Sequence, residues 1–300
     1  MTRLLRHALQ HGYAVGYFEA WNLESLLAVK DAAEKARSPV IVGFNGGFLG
    51  NPQRRFKENI LVYGRLGRTV AEQAAVPMSL ILNESPDTSL LLEALRAGFN
   101  TIMHDHEGCS ITEATRINSS LVTAAHAAAA EVEAEIGELP MAEIGGGASR
   151  GSTTNPEEAA RFVDETGVDA LAVAIGNVHV LEGRKSRLDF NLLDELRRKI
   201  RVPLVLHGGT GIDPDDLRKA IKGGICKVNV GTTLRRTFIN SLKGYFQTHE
   251  VDRLDPGAVT SVGGQQDMLA AARADVAVEV ERLMRLFGSD NKAAAFSEDG

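Results

Sequence analysis

Short β-rich apolar runs alternate along this chain with longer stretches that carry apolar residues at helical spacing. No other feature constrains the fold as tightly. The strand-like runs fall at residues 14–18, 39–44, 77–82, 101–104, 131–136, 170–175, 203–206 and 225–230. Helical patterns fall at 23–36, 89–97, 111–130, 156–166, 192–199 and 214–222. In the first of them Leu23, Leu26, Leu27 and Ala33 lie along one face. Strand and helix in alternation predict parallel strands with right-handed crossovers. Eight such units predict an α/β fold closed into a (β/α)8 TIM barrel rather than an open sheet. Helical patterns at 234–247 and 266–287 follow the last strand. The second exceeds what eight units need and predicts extra C-terminal helices.

Helix start signals agree. Asn155-Pro156-Glu157-Glu158 places a capping amide, a proline and two acids in order, and Asp213-Pro214-Asp215-Asp216 repeats the arrangement. The expected organisation is one barrel domain over 1–288 and a flexible polar tail over 289–300. Residues 46–70 and 139–154 are expected to be mobile covers.

Composition excludes several classes. Of the 300 residues 44% are hydrophobic and 24% charged, which excludes wholesale disorder. Lys plus Arg number 33 against 39 Asp plus Glu, a net charge of −6 without a basic block. That balance argues against nucleic-acid and membrane-surface partners. Cys109 and Cys226 give no disulfide framework and fit a reducing compartment. No run of 18 apolar residues occurs, and residues 1–12 read as an amphipathic helix rather than a signal peptide. A cytoplasmic protein is expected.

In such a barrel the chemistry sits at the C-terminal ends of the strands. Those ends carry Asn83-Glu84, His104-Asp105-His106, Glu133 and Glu135, His179, His207, and Asn229. His179 and His207 end neighbouring strands. With Glu84 across the barrel they can form a His2Glu set with an open fourth position, a catalytic zinc pattern. Structural histidines are the alternative. Gly208, Gly209, Thr210 and Gly211 follow the seventh strand, where glycines let backbone N–H groups approach an anion. Asn229, Gly231, Thr232 and Thr233 open the next helix, whose N-terminus favours an anion. Two such turns on adjacent strands point to phosphate, and simple tight turns are the alternative.

These residues resemble the class II, zinc-dependent ketose-bisphosphate aldolases, which act on fructose or tagatose bisphosphate. The likeness is carried by Gly12-Tyr-Ala-Val-Gly16, Asn22-Leu-Glu24, Glu34-Lys-Ala-Arg-Ser-Pro-Val-Ile41 and Glu131-Val-Glu-Ala-Glu-Ile-Gly137. It continues in residues 162–176, in Val202-Pro-Leu-Val-Leu-His-Gly-Gly-Thr-Gly-Ile212, in Lys227-Val-Asn-Val230 with Leu234-Arg235, and in Arg285-Leu-Phe-Gly288. The resemblance implies that His179 and His207 are zinc ligands. It also implies that Gly208–Gly211 hold phosphate, and that Asn229, Gly231, Thr232 and Thr233 bind the reacting carbon chain and complete the phosphate site. Val180 stands where the family has glycine.

The chain departs from the family most on its third strand. Where the family reads roughly His-Leu-Asp-His, this chain reads Ile81-Leu82-Asn83-Glu84. The proton-moving carboxylate has become an amide that cannot titrate, and the third ligand has become a carboxylate. Phe18-Glu19-Ala20 replaces a more usual Phe-Asn pair, and Trp21 adds bulk. On the fourth strand only Asp105 matches. The catalytic candidates are Asn83, Asp105, His106, Glu135 and Asn229, and the metal-ligand candidates Glu84, His179 and His207. Arg54, Arg55, Arg150 and Lys185 are candidate contacts to a second anion.

The expected activity is a metal-dependent, reversible aldol cleavage of a phosphorylated ketose or related hydroxyketone through an enediolate. The cofactor would be Zn2+ or another divalent cation, with a monovalent cation as a further candidate. The resemblance favours a homodimer or homotetramer. An isomerase, epimerase or decarboxylase on a sugar phosphate is the first alternative. A non-catalytic phosphometabolite-binding homologue is the second.

Overall fold

A computed structural model describes residues 1–137, 153–177, 187–250 and 253–298. Eight parallel strands close into a barrel in sequence order. They are β1 (Val15–Glu19), β2 (Val40–Asn45), β3 (Met78–Ser85), β4 (Thr101–His104), β5 (Glu131–Ile136), β6 (Ala170–Val173), β7 (Leu204–Leu206) and β8 (Ile225–Val230). β8 pairs with β1, with Tyr17 opposite Asn229, and completes the ring.

The helices run α1 (Thr2–His11), α2 (Leu23–Ala36), α3 (Gly46–Leu49), α4 (Ile60–Gln73), α5 (Thr88–Ala97), α6 (Ile111–Ala127) and α7 (Pro156–Thr166). They continue with α8 (Phe190–Lys199), α9 (Pro214–Lys222), α10 (Thr232–Thr248), α11 (Pro256–Thr260), α12 (Met268–Phe287) and α13 (Ala293–Glu298). Caps form as the sequence predicts. Asn155 accepts from the N–H groups of Glu157 and Glu158, and Asp213 from that of Asp215.

Two apolar cores result. The larger lies between the sheet and the surrounding helices. The smaller fills the barrel, where Val15, Tyr17, Ile41, Ile81, Met103, Ala170, Ala172 and Val205 meet. Leu4, Leu5 and Ala8 of α1 join this inner core and close its N-terminal floor. The opposite end holds the C-terminal ends of the strands.

Two expectations meet a different structure. Residues 46–70 are not a plain cover, since they carry α3 and most of α4, which connects β2 to β3. The buried positions of α4 are Ile60, Gly64, Gly67 and Val70. Glycine at two of the four hides the apolar period, because it reads as a helix breaker. Residues 289–293, expected to begin a loose tail, are packed. The Ser289 hydroxyl lies 2.8 Å from that of Ser38, and the N–H groups of Asn291 and Ala293 reach the carbonyls of Ala36 and Arg37. Of residues 139–154 only Thr153 and Thr154 lie among the described residues. Among the described residues no helix is long and apolar enough to cross a membrane.

Gly64 yields a test whose sign is unusual. Alanine inside a helix ordinarily stabilises it by about 1 kcal/mol relative to glycine. A Cβ on Gly64 would stand 2.6 Å from the Ala97 carbonyl oxygen, so α4 would have to move off α5. Gly64→Ala is therefore expected to lower the thermal midpoint by about 2–6 °C in calorimetry. A rise would refute the close approach.

Candidate active site

Side chains alternate across a strand, so every second residue of each strand enters the barrel. The register places Glu133 and Glu135 of β5, Lys227 and Asn229 of β8, and Tyr17 and Glu19 of β1 on the interior face. His207 follows β7 and is fully buried. Its main chain is fixed by Asn177, whose Nδ2 donates to the His207 carbonyl at 3.1 Å.

A string of buried ionisable groups runs upward from the apolar core. Lys227 Nζ lies 2.8 Å from Glu133 Oε1 and 2.7 Å from Oε2. His207 Nε2 donates to Glu133 Oε1 at 3.1 Å. All three side chains are fully buried. Burial pushes the Glu133 carboxyl up, but Lys227 and His207 outweigh it and hold the group below its usual range. Burial likewise lowers Lys227, with Glu133 opposing. Lys227 also sits 4.8 Å from the centre of the Tyr17 ring, a cation–π contact.

At the upper end of the string, His207 Nδ1 lies 3.3 Å from Glu84 Oε1 and 3.4 Å from Glu135 Oε2. It makes a well-directed hydrogen bond to neither. Burial disfavours the imidazolium, yet Glu135, Glu133 and Glu84 together raise His207 to about 10. Burial pushes Glu135 up to about 7, with His207 opposing and Glu84 and Glu133 adding to the rise.

Strict alternation would turn Glu84 outward, because Asn83 beside it faces in. A register shift in the β3–β4 pairing between Leu82 and Ser85, with Glu84 at φ 51, turns it back. Asn45 Nδ2 then holds Glu84 Oε2 at 2.8 Å. Asn83 is 2% exposed, and its Oδ1 has no partner among the described residues. Asn229 is 7% exposed, and both its Oδ1 and Nδ2 are unpartnered among the described residues. Buried polar atoms without partners are costly, so such a cluster marks a place for a ligand.

The two turns expected to hold phosphate are adjacent. Gly208 is left-handed at φ 70, and Gly209–Gly211 form one 3₁₀ turn. A Cβ on Gly209 would press on Val228 at 2.6 Å, so glycine is needed there. Thr233 Oγ1 bonds Thr210 Oγ1 at 3.0 Å and ties the turn to the start of α10. Gly231 caps that helix with no side-chain bond, which leaves its first N–H groups available.

Not every candidate is drawn in. Asp105 is half-buried, and its Oδ1 accepts from the Glu107 N–H at 3.0 Å. His106 lies against Asn118 of α6, its ring 4.8 Å from that of His104, and burial pushes it down to about 4. It therefore sits between the barrel wall and α6. Arg54 pairs with Glu58 in the segment before α4, and Arg55 lies over the Phe56 ring. His179, Val180, Lys185 and Arg150 lie outside the described residues.

Glu133, Lys227, Glu19 and Arg235 were not singled out from sequence as a site. A signal existed for the first two, since a lysine in a buried parallel strand requires an acidic partner at an interior position. Glu133 is such a position.

Among the described residues no group of three or more His, Cys, Asp or Glu side chains is spaced to hold a metal ion. The donor chemistry nevertheless fits one. The buried His207 Nδ1 faces two carboxylates, at distances that suit an ion pair. Among the described residues Glu133 is paired with Lys227 and Glu19 with Arg235, while Glu84 and Glu135 both face the single imidazole of His207, an excess of carboxylate that a divalent cation would offset.

A closed parallel barrel with a polar, glycine-rich rim at the C-terminal strand ends defines an enzyme-type (β/α)8 protein. The family model "Fructose-bisphosphate aldolase class-II" matches residues 1–292, and the chain belongs to that family. It is 35% identical over 232 residues to YdjI of Escherichia coli K12, covering 77% of this chain and 81% of YdjI. The crystal structure of the YdjI aldolase superposes with a TM-score of 0.80 over 97% of both chains, at 31% identity. The D-tagatose-1,6-bisphosphate aldolase subunit GatY of Klebsiella oxytoca is 35% identical over 246 residues, covering 81% of this chain and 84% of GatY.

The buried string makes a prediction about stability. Lys227→Met strands the Glu133 carboxylate and is expected to cost about 3–5 kcal/mol in urea unfolding, as is Glu133→Gln. The double variant should lose less than the sum, with a coupling above about 1 kcal/mol. Strict additivity would show that the two groups are independent.

Proposed function

We propose that this protein is a class II aldolase-type lyase that cleaves a phosphorylated ketose, or a related hydroxyketone, into two carbonyl fragments by a metal-dependent retro-aldol reaction. The observation that carries the reading is His207 Nδ1, fully buried and 3.3 Å from Glu84 Oε1 and 3.4 Å from Glu135 Oε2. Family membership and the tagatose-bisphosphate aldolase relative support it.

In this reading Glu84 and His207 hold a divalent cation such as Zn2+, with His179 as the third ligand. A cation held there would require His207 in its neutral form. The cation supplies Lewis-acid polarisation of the ketone and accommodates the negative charge left by cleavage. The remaining work falls to the chain's own groups. The Gly208–Gly211 turn and the start of α10 anchor phosphate through backbone N–H groups. That anchoring positions the reacting carbons. Asn229 orients the enediolate with its free amide. Glu135 moves the proton in place of the family's aspartate, for which Asn83 cannot substitute. It faces the same mouth beside His207, whereas Asp105 is engaged with Glu107 and His106 with Asn118.

Metal analysis and product analysis test the proposal together. Wild-type protein should carry about one divalent ion per chain. His207→Ala should lose it, and Glu84→Ala should bind it far more weakly. Glu135→Gln should keep the ion while kcat falls by about 10²–10⁴. Products from phosphorylated ketoses should be two smaller carbonyl compounds. Conversion with conserved carbon count would instead establish an isomerase, and metal retained in His207→Ala would remove the proposed ligand.

A further inference from the structure

The floor of the barrel, at the end remote from the candidate active site, holds a cavity of about 330 Å³. Arg3, Arg6, His7 and Gln10 of α1 line it, with Glu131 at the start of β5 and Phe296 of α13. The four α1 residues stand at i, i+3, i+4 and i+7, so they share one face of the helix. Leu4, Leu5 and Ala8 of the same helix turn into the inner core. Nothing in the aldolase reading draws on this face.

The charges around the cavity do not cancel. Glu131 is the one acid among the described lining residues, and it is already engaged. Its Oε2 accepts from the Thr2 N–H at 2.8 Å and lies 2.9 Å from the Met1 amino group, and its Oε1 accepts from the Thr2 hydroxyl. It serves the N-terminus of α1 rather than the arginines. Arg3 and Arg6, one helical turn apart and both exposed, therefore turn two positive groups to one space. The Arg3 guanidinium lies 4.6 Å from the centre of the Phe296 ring, a stacking contact that restricts where its donors point.

The inner wall is built from fixed groups. His7 is 5% exposed, and its Nδ1 lies 2.8 Å from the Tyr13 hydroxyl. Its ring meets that of Phe296 edge-on at 5.7 Å.

Guanidinium groups present paired N–H donors that match the oxygens of phosphate and carboxylate. A phosphate monoester carries up to two charges and three terminal oxygens, enough for both arginines at once. A carboxylate has one charge and two oxygens. The cavity volume falls within the range of about 300–1,000 Å³ usual for small organic ligands, so it has room for a body beyond the anion. Gln10 can donate to and accept from that body.

We propose that the barrel floor is a second binding site, for a small phosphate monoester whose phosphoryl group lies between Arg3 and Arg6 and whose polar body lies towards Gln10. Such a ligand sits at the foot of β5, the strand that also carries Glu133 and Glu135. The inference is independent of the aldolase reading.

The test is nuclear magnetic resonance of the full chain carrying isotope-labelled arginine. The Nε–H signals of Arg3 and Arg6 are assigned by their loss in Arg3→Ala and Arg6→Ala. Titration with glycerol 3-phosphate should move both signals along a saturating curve with a midpoint at or below about 1 mM. Glycerol, and sodium chloride at matched ionic strength, should leave them in place. In Arg6→Ala, an exposed position whose loss should not alter melting, the midpoint of the Arg3 shift should rise at least about tenfold. Signals that do not move, or that chloride moves equally, overturn the proposal. So does an Arg3 midpoint unchanged in Arg6→Ala, because the shift would then report phosphate held at the barrel mouth.

Discussion

The site depends on one buried interaction, the contact of Glu133 with Lys227 below and His207 above. None of the three side chains reaches water. A lone charge at any of those positions would be prohibitively costly, and each is tolerable because the next compensates it. The direction of compensation matters for chemistry. Lys227 keeps Glu133 ionised, Glu133 engages His207 Nε2, and Nδ1 is left facing the mouth. The barrel fixes the geometry because the three groups come from β5, the end of β7, and β8, whose separations are set by the closed sheet.

Much of the scaffold was legible in the sequence because it obeys period. β4, β5 and β8 fall at their expected residues, and so do α2, α7 and α9. The miss at α4 has a specific cause. That helix packs through glycines, and sequence patterns register apolar bulk rather than the closeness that missing bulk permits. The closing residues were missed for a related reason, since small polar side chains conceal a segment held largely by its backbone and by the Ser38–Ser289 contact.

The residues of the candidate site could be named from sequence, but the contacts between them could not. Glu84, Glu135, His207, Asn229 and the two turns could be named because they stand at strand ends. That Glu84 faces inward could not be read, because it rests on a shifted register and a left-handed residue. The pairing of Glu19 with Arg235 spans 216 positions, and nothing local to either residue announces the other.

Asn45 serves two masters. Its Oδ1 caps α3 by accepting from the Phe48 N–H at 3.0 Å, while its Nδ2 grips Glu84. Phe48, half exposed on that same short helix, packs its ring against the Arg235 guanidinium. A single amide is thus the yoke between the two flanks of the mouth. Loss of that amide would remove the cap of α3 and a hydrogen bond to Glu84 together.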